Sequence, residues 1–209
     1  MIFTSGDPVV IVGILLALVI AITCHEFSHA FVADLFGDRQ PRAMGRVSLN
    51  PVRHIDPLGA IFFVIAGFGW GRPVSVNVYG LRGGRRSMAW VSAAGPVTNF
   101  VVAMIFAVAY RALVLAGDPL PVVTDVLWII VLFNLFLAFF NFIPIPPLDG
   151  YNFVLAFLPV QQVFAVQRYA QFGLVALLLL VVLSNTPGGG PLGLLASIAQ
   201  SLARLLVGA

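Results

Sequence analysis

Long apolar runs separated by short polar loops are the feature that most restricts what this chain can fold into. The run VVIVGILLALVIAI, residues 9–22, carries no charged or amide side chain. Crossing roughly 30 Å of hydrocarbon takes about 20 residues of helix. Hydrophobic residues make up 60% of the 209 positions and charged residues only 9%, against about 25% in a soluble domain. The sequence therefore predicts an integral membrane protein.

The apolar runs predict an all-α polytopic membrane protein, a single domain over 1–209 with about five to six membrane segments. The first helix is expected over 8–36, between Pro8 and the stop signal Gly37-Asp38. The later spans are expected at 87–116, 122–158 (interrupted by PIPPLDG), 161–184 and 191–207, the last two separated by the loop NTPGGGP.

The stretch 38–86 does not read as an ordinary span. Its piece 57–71 is too short and too glycine-rich to cross a membrane comfortably, and is interpreted as a re-entrant or shallow segment. Apolar and polar residues alternate at 45–50 and 73–80, which is typical of short strands. The sequence therefore predicts a small membrane-associated β element beside the re-entrant piece.

Arginine placement predicts how the chain is oriented. The loop 117–121 carries no arginine. If 57–71 enters and leaves at one face, the arginines that share the side opposite to this loop are Arg39, Arg42, Arg46, Arg53, Arg72, Arg82, Arg85 and Arg86. The positive-inside rule places that side in the cytoplasm and the N-terminus outside. We expect a multi-pass protein of the cell membrane.

Three ionisable residues directly follow the first apolar run: His25, Glu26 and His29. On a helix His25 and His29 are one turn apart on one face, so both imidazoles can bind one metal ion. Glu26 is about 100° further around the axis and can act beside the metal as general base for a water molecule. Zinc suits two imidazoles and a carboxylate. The alternative is that all three are buried polar residues paired with other helices, although ionisable groups inside a membrane are functional by default.

A zinc site of this kind needs one more protein ligand, and Asp and Glu together number only eight. Asp149 alone lies in a broken apolar segment, NFIPIPPLDGYNF. Its three prolines forbid a regular helix, and non-helical backbone at membrane depth is tolerated where it lines a wet cavity. Asp149 is therefore a candidate ligand; the alternative is a proline kink with a capping aspartate. The other aspartates fall at the outer face or flank the arginine-rich loop: Asp7, Asp34, Asp38, Asp56, Asp118 and Asp125.

HEFSH, followed about 120 positions later by NFIPIPPLDG, resembles the site-2 protease family of intramembrane zinc metalloproteases. GRVSLNPVRHIDPLGAI and AAGPVTNF are similar to its bacterial and archaeal branch, and we expect a minimal form of it without PDZ or CBS modules. The likeness covers roughly residues 20–155.

The family resemblance implies a role for each motif residue. His25, His29 and Asp149 would bind one Zn²⁺ per chain, with Glu26 as the catalytic base. Asn141 would position the substrate backbone or stabilise the oxyanion. His54, in the HIDP stretch, is a candidate for a proton or hydrogen bond near the site, with a merely structural role as the alternative. GPVTN is interpreted as close helix packing with a polar contact.

The resemblance also implies hydrolysis of peptide bonds in or near the transmembrane segments of membrane-anchored substrates. The expected partners are the lipid bilayer and a single-pass membrane protein such as an anti-sigma factor or a membrane-tethered regulator, with no nucleic acid. The active site is expected near the cytoplasmic side. The alternatives are a metal-ion transporter, which would present more ligands along its path, and an inactive membrane-binding relative, which would lack Glu26 or Asp149.

Overall fold

The computed structural model describes residues 7–66, 69–184 and 189–208. Parts of the predicted re-entrant piece (67–68) and of the NTPGGGP loop (185–188) lie outside the described residues. The helices are α1 (Pro8–Leu35), α2 (Gln40–Ala43), α3 (Pro57–Ala66), α4 (Arg85–Leu115), α5 (Pro121–Asn141), α6 (Asp149–Leu155), α7 (Val160–Gln167), α8 (Gly173–Ser184) and α9 (Gly190–Val207). Short 3₁₀ turns occupy Pro51–Arg53, Val78–Gly80 and Ala170–Phe172.

Four of these helices, α1, α4, α5 and α9, are long and apolar enough to cross a membrane. The stretch from α7 to α8 makes a fifth span if its two parts, bent by 40°, are counted as one. An all-α polytopic protein is thus confirmed, with four to five candidate spans where the sequence predicted five to six segments. The predicted span 122–158 is two helices, because α5 ends at Asn141 and α6 begins only at Asp149.

Helices α1, α4 and α5 pack against one another and form the centre of the bundle. Lipid tails give no hydrophobic drive between membrane helices, so close packing of small residues holds such bundles together. The buried face of α1 has this composition, with Ala17, Ala21, Ala30 and Ala33 fully buried. Helix α9 packs on α4 and α5 through Ala199 and Ala203. The close approach of these helices lets side chains from different helices meet in the interior.

Neither predicted strand, 45–50 or 73–80, forms in the described part of the chain, where one isolated bridge joins Ile55 and Gly71. The reason is that carboxylates of α1 and its C-terminal turn bind backbone groups that a neighbouring strand would need. The N–H of Val74 donates to Oε2 of Glu26 (3.1 Å), and the N–H of Asn77 donates to Oδ2 of Asp38 (2.7 Å). The segment 73–77 is therefore a single stretch of chain laid against α1.

The residues that flank the piece 57–71 are close together, and its re-entrant course stays a prediction. Helix α3 has 10 residues, about 15 Å long and half of what a span needs, and the Ile55–Gly71 bridge closes its two ends together. Arg82, just before α4, donates to the carbonyl of Leu35 at the end of α1 (2.6 Å). The C-terminal end of α1 and the N-terminal end of α4 therefore lie at the same end of the bundle.

This arrangement generates a topology prediction. Helix α4, with 31 residues and a length of about 46 Å, separates Gly83 from Gly117. We expect an epitope inserted after Gly83 to be reachable from the cytoplasm and one inserted after Gly117 to be reachable only from outside, as labelling of intact and permeabilised cells will show. An extracytoplasmic Gly83 would contradict the re-entrant interpretation of 57–71 and the orientation of everything after it.

Candidate metal centre

The first part of the site is built on α1 alone. Asp7 caps the helix by accepting from the N–H of Val9 (2.8 Å), and Pro8 occupies its first turn. One turn separates His25 from His29, and both side chains are buried. Their ring centroids are 4.6 Å apart and their Nε2 atoms 3.1 Å apart. The helix thus presents two imidazole nitrogens to one point in the bundle.

The second part of the site comes from the proline-rich connection after α5. The connection ends where Asp149 begins α6, which packs on α4. Gly150 allows this docking, because a Cβ there would lie 2.2 Å from the carbonyl oxygen of Phe142. Oδ2 of Asp149 lies 3.0 Å from Nε2 of His25 and 3.3 Å from Nε2 of His29. The structure therefore brings together the three residues that the sequence predicted as ligands.

The outer nitrogens of the two imidazoles are held by hydrogen bonds to other groups. Nδ1 of His29 donates to the carbonyl of Val91 (2.7 Å) and Nδ1 of His25 donates to Oδ1 of Asn99 (2.6 Å), both on α4. A neutral imidazole with its proton on Nδ1 keeps a lone pair on Nε2. Both Nε2 lone pairs thus face the carboxylate of Asp149.

When both imidazoles are neutral, three acceptor atoms therefore meet in the interior without a donor between them. Oδ2 of Asp149 is buried and has no hydrogen-bond partner within the described residues. Buried acceptors left this way are costly unless a cation satisfies them together. Ligands at about 2.1 Å around a tetrahedral zinc ion lie about 3.4 Å apart, close to the separations seen here. The donor set, two imidazoles and a carboxylate, fits zinc.

Gly95 of α4 leaves the space that such an ion and its ligands require. A Cβ at this position would lie 2.4 Å from Nε2 of His29 and 2.6 Å from Nε2 of His25. Such distances are well inside van der Waals contact, so α4 can lie this close to the imidazoles only with glycine here. The GPVTN stretch thus does bring a helix into close packing, and Gly95 within it lies against the two imidazoles predicted to bind the metal.

Glu26 lies beside the three-acceptor cluster and outside it. Its carboxylate accepts from the N–H of Val74 and lies 4.0 Å from the guanidinium of Arg46. Arg46 is buried and also donates to the carbonyls of Arg53 and Arg72. Burial lowers the pKa of the Arg46 guanidinium, while the charge of Glu26 opposes that shift. Glu26 is therefore held by a cation and a backbone donor and keeps its other oxygen available.

Comparison with known proteins settles the family. The chain is 35% identical over 175 residues to "Putative zinc metalloprotease YwhC" of Bacillus subtilis, covering 81% of this chain and 80% of the relative. It is 34% identical over 189 residues to "Putative zinc metalloprotease Rip2" of Mycobacterium tuberculosis, covering 86% and 70%. The chain belongs to the site-2 protease family. Rip2 of Mycolicibacterium smegmatis is 32% identical over 194 residues, covering 86% and 71%.

The comparisons with family models and with solved structures add nothing to this family assignment. No family model matches the chain. No solved structure matches it either.

Asn141 and His54 were also predicted for the site of this site-2 protease, and their hydrogen bonds go to backbone carbonyls outside the acceptor cluster. The amide of Asn141 donates to the carbonyl of Leu137 in its own helix (3.1 Å). His54 is fully buried, its Nε2 donates to the carbonyl of Ser48 (2.6 Å), and burial lowers its pKa. The His54–Ser48 bond holds the loop that carries Arg46 against His54. The roles of Asn141 and His54 in the reaction stay predictions.

The sequence did not predict two neighbours of the site. Arg46 was counted only with the loop arginines, since nothing local shows that it turns inward to Glu26. Asn134, which bonds to Asn99 (2.9 Å), was not singled out. Its signal was available, because Asn134 stands alone among apolar residues from Val126 to Phe140, and polar side chains inside a membrane helix usually have a partner.

The close approach of α4 generates a prediction. Gly95→Ala adds a Cβ that collides with both imidazoles, and we expect zinc affinity, measured by chelator competition, to fall by at least about tenfold, as for other disturbed ligand shells. Alanine is a better helix former than glycine, so α4 itself is not weakened. The matched control is Gly13→Ala, where the atoms nearest to the added Cβ belong to the side chain of Ile129 and zinc binding should be unchanged. Wild-type affinity in Gly95→Ala would contradict the geometry.

Proposed function

We propose that this site-2 protease is an intramembrane zinc metalloprotease that hydrolyses peptide bonds in or near the transmembrane segments of membrane-anchored proteins. The observation that carries the proposal is the cluster of His25, His29 and Asp149, buried among helices long enough to cross a membrane, with Glu26 beside it. The relatives' names supply the metal and the reaction class.

The proposed chemistry assigns each side chain a step. Nε2 of His25, Nε2 of His29 and Oδ2 of Asp149 would hold the ion. Zinc, when bound there, supplies a Lewis acid that polarises the scissile carbonyl and lowers the pKa of water to about 7. Glu26 takes a proton from the water molecule as the oxygen of that water bonds to the carbonyl carbon. Glu26 then gives that proton to the leaving nitrogen as the C–N bond breaks.

In this proposal, Arg46 and the chain segment 73–77 hold the carboxylate of Glu26 in position. A carboxylate that must first accept and then return a proton needs a fixed position relative to the water. The Val74 N–H and the Arg46 guanidinium both lie on the Oε2 side of the carboxylate. Oε1 is thereby left for the reacting water.

The rival functions agree less well with the structure. A transport path needs ligands placed across the membrane, whereas the ranges that the structure describes hold one group of three His, Cys, Asp or Glu side chains able to share an ion. An inactive relative would lack part of the catalytic set, and Glu26 and Asp149 are both present.

The setting proposed for the reaction follows from the arginine distribution. The ligands lie toward the end of α1 that carries the arginine-rich loops, so the active site would be near the cytoplasmic face of the cell membrane. We propose a single-pass membrane protein, such as an anti-sigma factor or a membrane-tethered regulator, as substrate. A comparison of membrane proteomes with wild type and Glu26→Gln should show that substrate as single-span fragments that accumulate uncleaved in the variant.

Metal content tests the ligand set. Purified wild type should contain close to one zinc per chain by elemental analysis, and His25→Ala, His29→Ala or Asp149→Ala should each lower it, because two remaining ligands bind weakly. Glu26→Gln should keep the zinc and lose turnover. Asp125→Ala, which removes an exposed carboxylate, is the control. Full zinc in Asp149→Ala, together with loss of zinc in Asp56→Ala, would contradict the assignment of the third ligand.

A second test concerns Asn141. If its amide donates to the developing oxyanion, Asn141→Ala should lower kcat by roughly 10²–10³-fold with normal zinc content, the range for losing one oxyanion donor. If it only holds the substrate backbone, KM should rise with kcat nearly unchanged. Gln200→Ala, an exposed amide on α9, is the control. Loss of zinc in Asn141→Ala would sink both versions and show that this residue orients Asp149.

A further inference from the structure

A chain of buried side-chain hydrogen bonds runs from the middle of α5 to the metal centre. The Nδ2 group of Asn134 donates to the carbonyl of Ile130 (2.9 Å), one turn earlier on α5. Its Oδ1 accepts from Nδ2 of Asn99 on α4 (2.9 Å). Asn99 is bonded in turn to Nδ1 of His25 on α1. The chain therefore crosses all three central helices, and both asparagines are fully buried.

The direction of every bond in this chain is set by backbone carbonyls at its sides. The carbonyl of Ile130 can only accept, so the NH₂ group of Asn134 must face it and Oδ1 must face Asn99. The carbonyl of Ala21 can only accept as well, and it takes the second amide hydrogen of Asn99 (3.1 Å). With both hydrogens of Asn99 used in this way, its Oδ1 faces His25 and requires a proton on Nδ1.

The two metal ligands on α1 therefore differ in what holds them. His29 donates directly to a backbone carbonyl of α4, which no substitution of a side chain can remove. His25 depends on a side-chain amide that has two hydrogens to place. Without Asn134, one of those hydrogens would face the α5 interior with no acceptor, and the amide of Asn99 would lose half of what fixes its orientation.

We propose that Asn134 is a positioning residue of the metal centre, which acts through Asn99 to hold the His25 proton on Nδ1 and so leave the Nε2 lone pair for the metal. The inference rests on the proposed metal site and adds to it a residue that, in the described part of the chain, has a hydrogen bond to Asn99 and none to the three proposed ligands. It also connects the two sequence-distant halves of the site, since α5 continues into the connection that carries Asp149.

The competing explanation is that Asn134 only holds helices together, as interhelical asparagines in membranes often do. The two explanations differ in what they predict for the metal. A residue that only holds helices together changes the stability of the bundle, and zinc affinity then follows stability. A positioning residue changes zinc affinity beyond what an equally destabilising apolar substitution does.

The test measures zinc affinity of the full-length protein in detergent by competition with a chelator, alongside thermal unfolding of the metal-free protein. Asn134→Leu removes the acceptor at similar size, and we expect affinity to fall on the order of tenfold, as for lost outer-shell partners of histidine ligands. Asn134→Asp should restore affinity to near wild type, because a buried carboxylic acid can accept from Asn99 and donate to Ile130. Leu135→Ala, the fully buried neighbour on α5, should lower stability but reduce affinity by clearly less than Asn134→Leu does.

Each outcome decides between the two explanations. Wild-type affinity in Asn134→Leu, or an equal loss of affinity in Leu135→Ala, would overturn the inference while leaving the protease function intact. Failure of the wild type itself to bind zinc would instead remove the proposed function. If Asn134→Leu does not fold, Asn134→Ala takes its place with the same expected loss.

A measurement on the unaltered protein is independent of any folding defect. The chain has three histidines, so ¹⁵N spectra of the metal-free, histidine-labelled protein should be simple enough to assign by single substitutions. We expect His25 to carry its proton on Nδ1. A proton on Nε2 of His25 would overturn the inference.

Discussion

The structure depends on one arrangement that would be unfavourable by itself: three hydrogen-bond acceptors directed at one another inside a bundle of apolar helices. Nε2 of His25, Nε2 of His29 and Oδ2 of Asp149 lie 3.0–3.3 Å apart, and the outer nitrogens of both imidazoles are bonded elsewhere. A cation bound to all three atoms would relieve the repulsion among them. Folding of the chain therefore also assembles the three residues predicted as metal ligands.

Close packing of helices is what makes that arrangement possible in a chain with so few polar residues. Alanines on α1 and Gly95 on α4 let the helix axes approach until the backbone of α4 lies against the imidazoles. At that distance Val91 can supply its carbonyl and Asn99 its amide. A polar interior in a membrane protein is costly unless each group has a partner, and here the partners come from helices that also carry the ligands.

How much of this could be predicted from the sequence depends on how local each feature is. The spacing of His25 and His29 is a property of one helix, so their common face follows from the sequence alone. Asp149 is distant in sequence, but it is the carboxylate that falls in a proline-broken apolar segment, and that composition restricts the choice. The Asn99–Asn134 contact depends on the rotation of two helices about their axes, which single-chain periodicity does not determine.

The strands predicted at 45–50 and 73–80 were wrong for a related reason. Alternation at 73–80 does correspond to side chains that are alternately exposed and half-buried, but a strand also needs a neighbour with matching backbone groups. The acceptors that the structure supplies are the carboxylates of Glu26 and Asp38, and no local pattern within 73–80 reveals that they lie there.

The most direct test of the proposed metal centre is the zinc X-ray absorption spectrum of the purified wild-type protein. We expect only nitrogen and oxygen ligands at about 2.0–2.2 Å, with outer-shell scattering from two imidazoles that falls to one in His25→Ala. Sulfur at about 2.3 Å, which only Cys24 or a methionine could supply, or a shell of oxygens without imidazole, would contradict it.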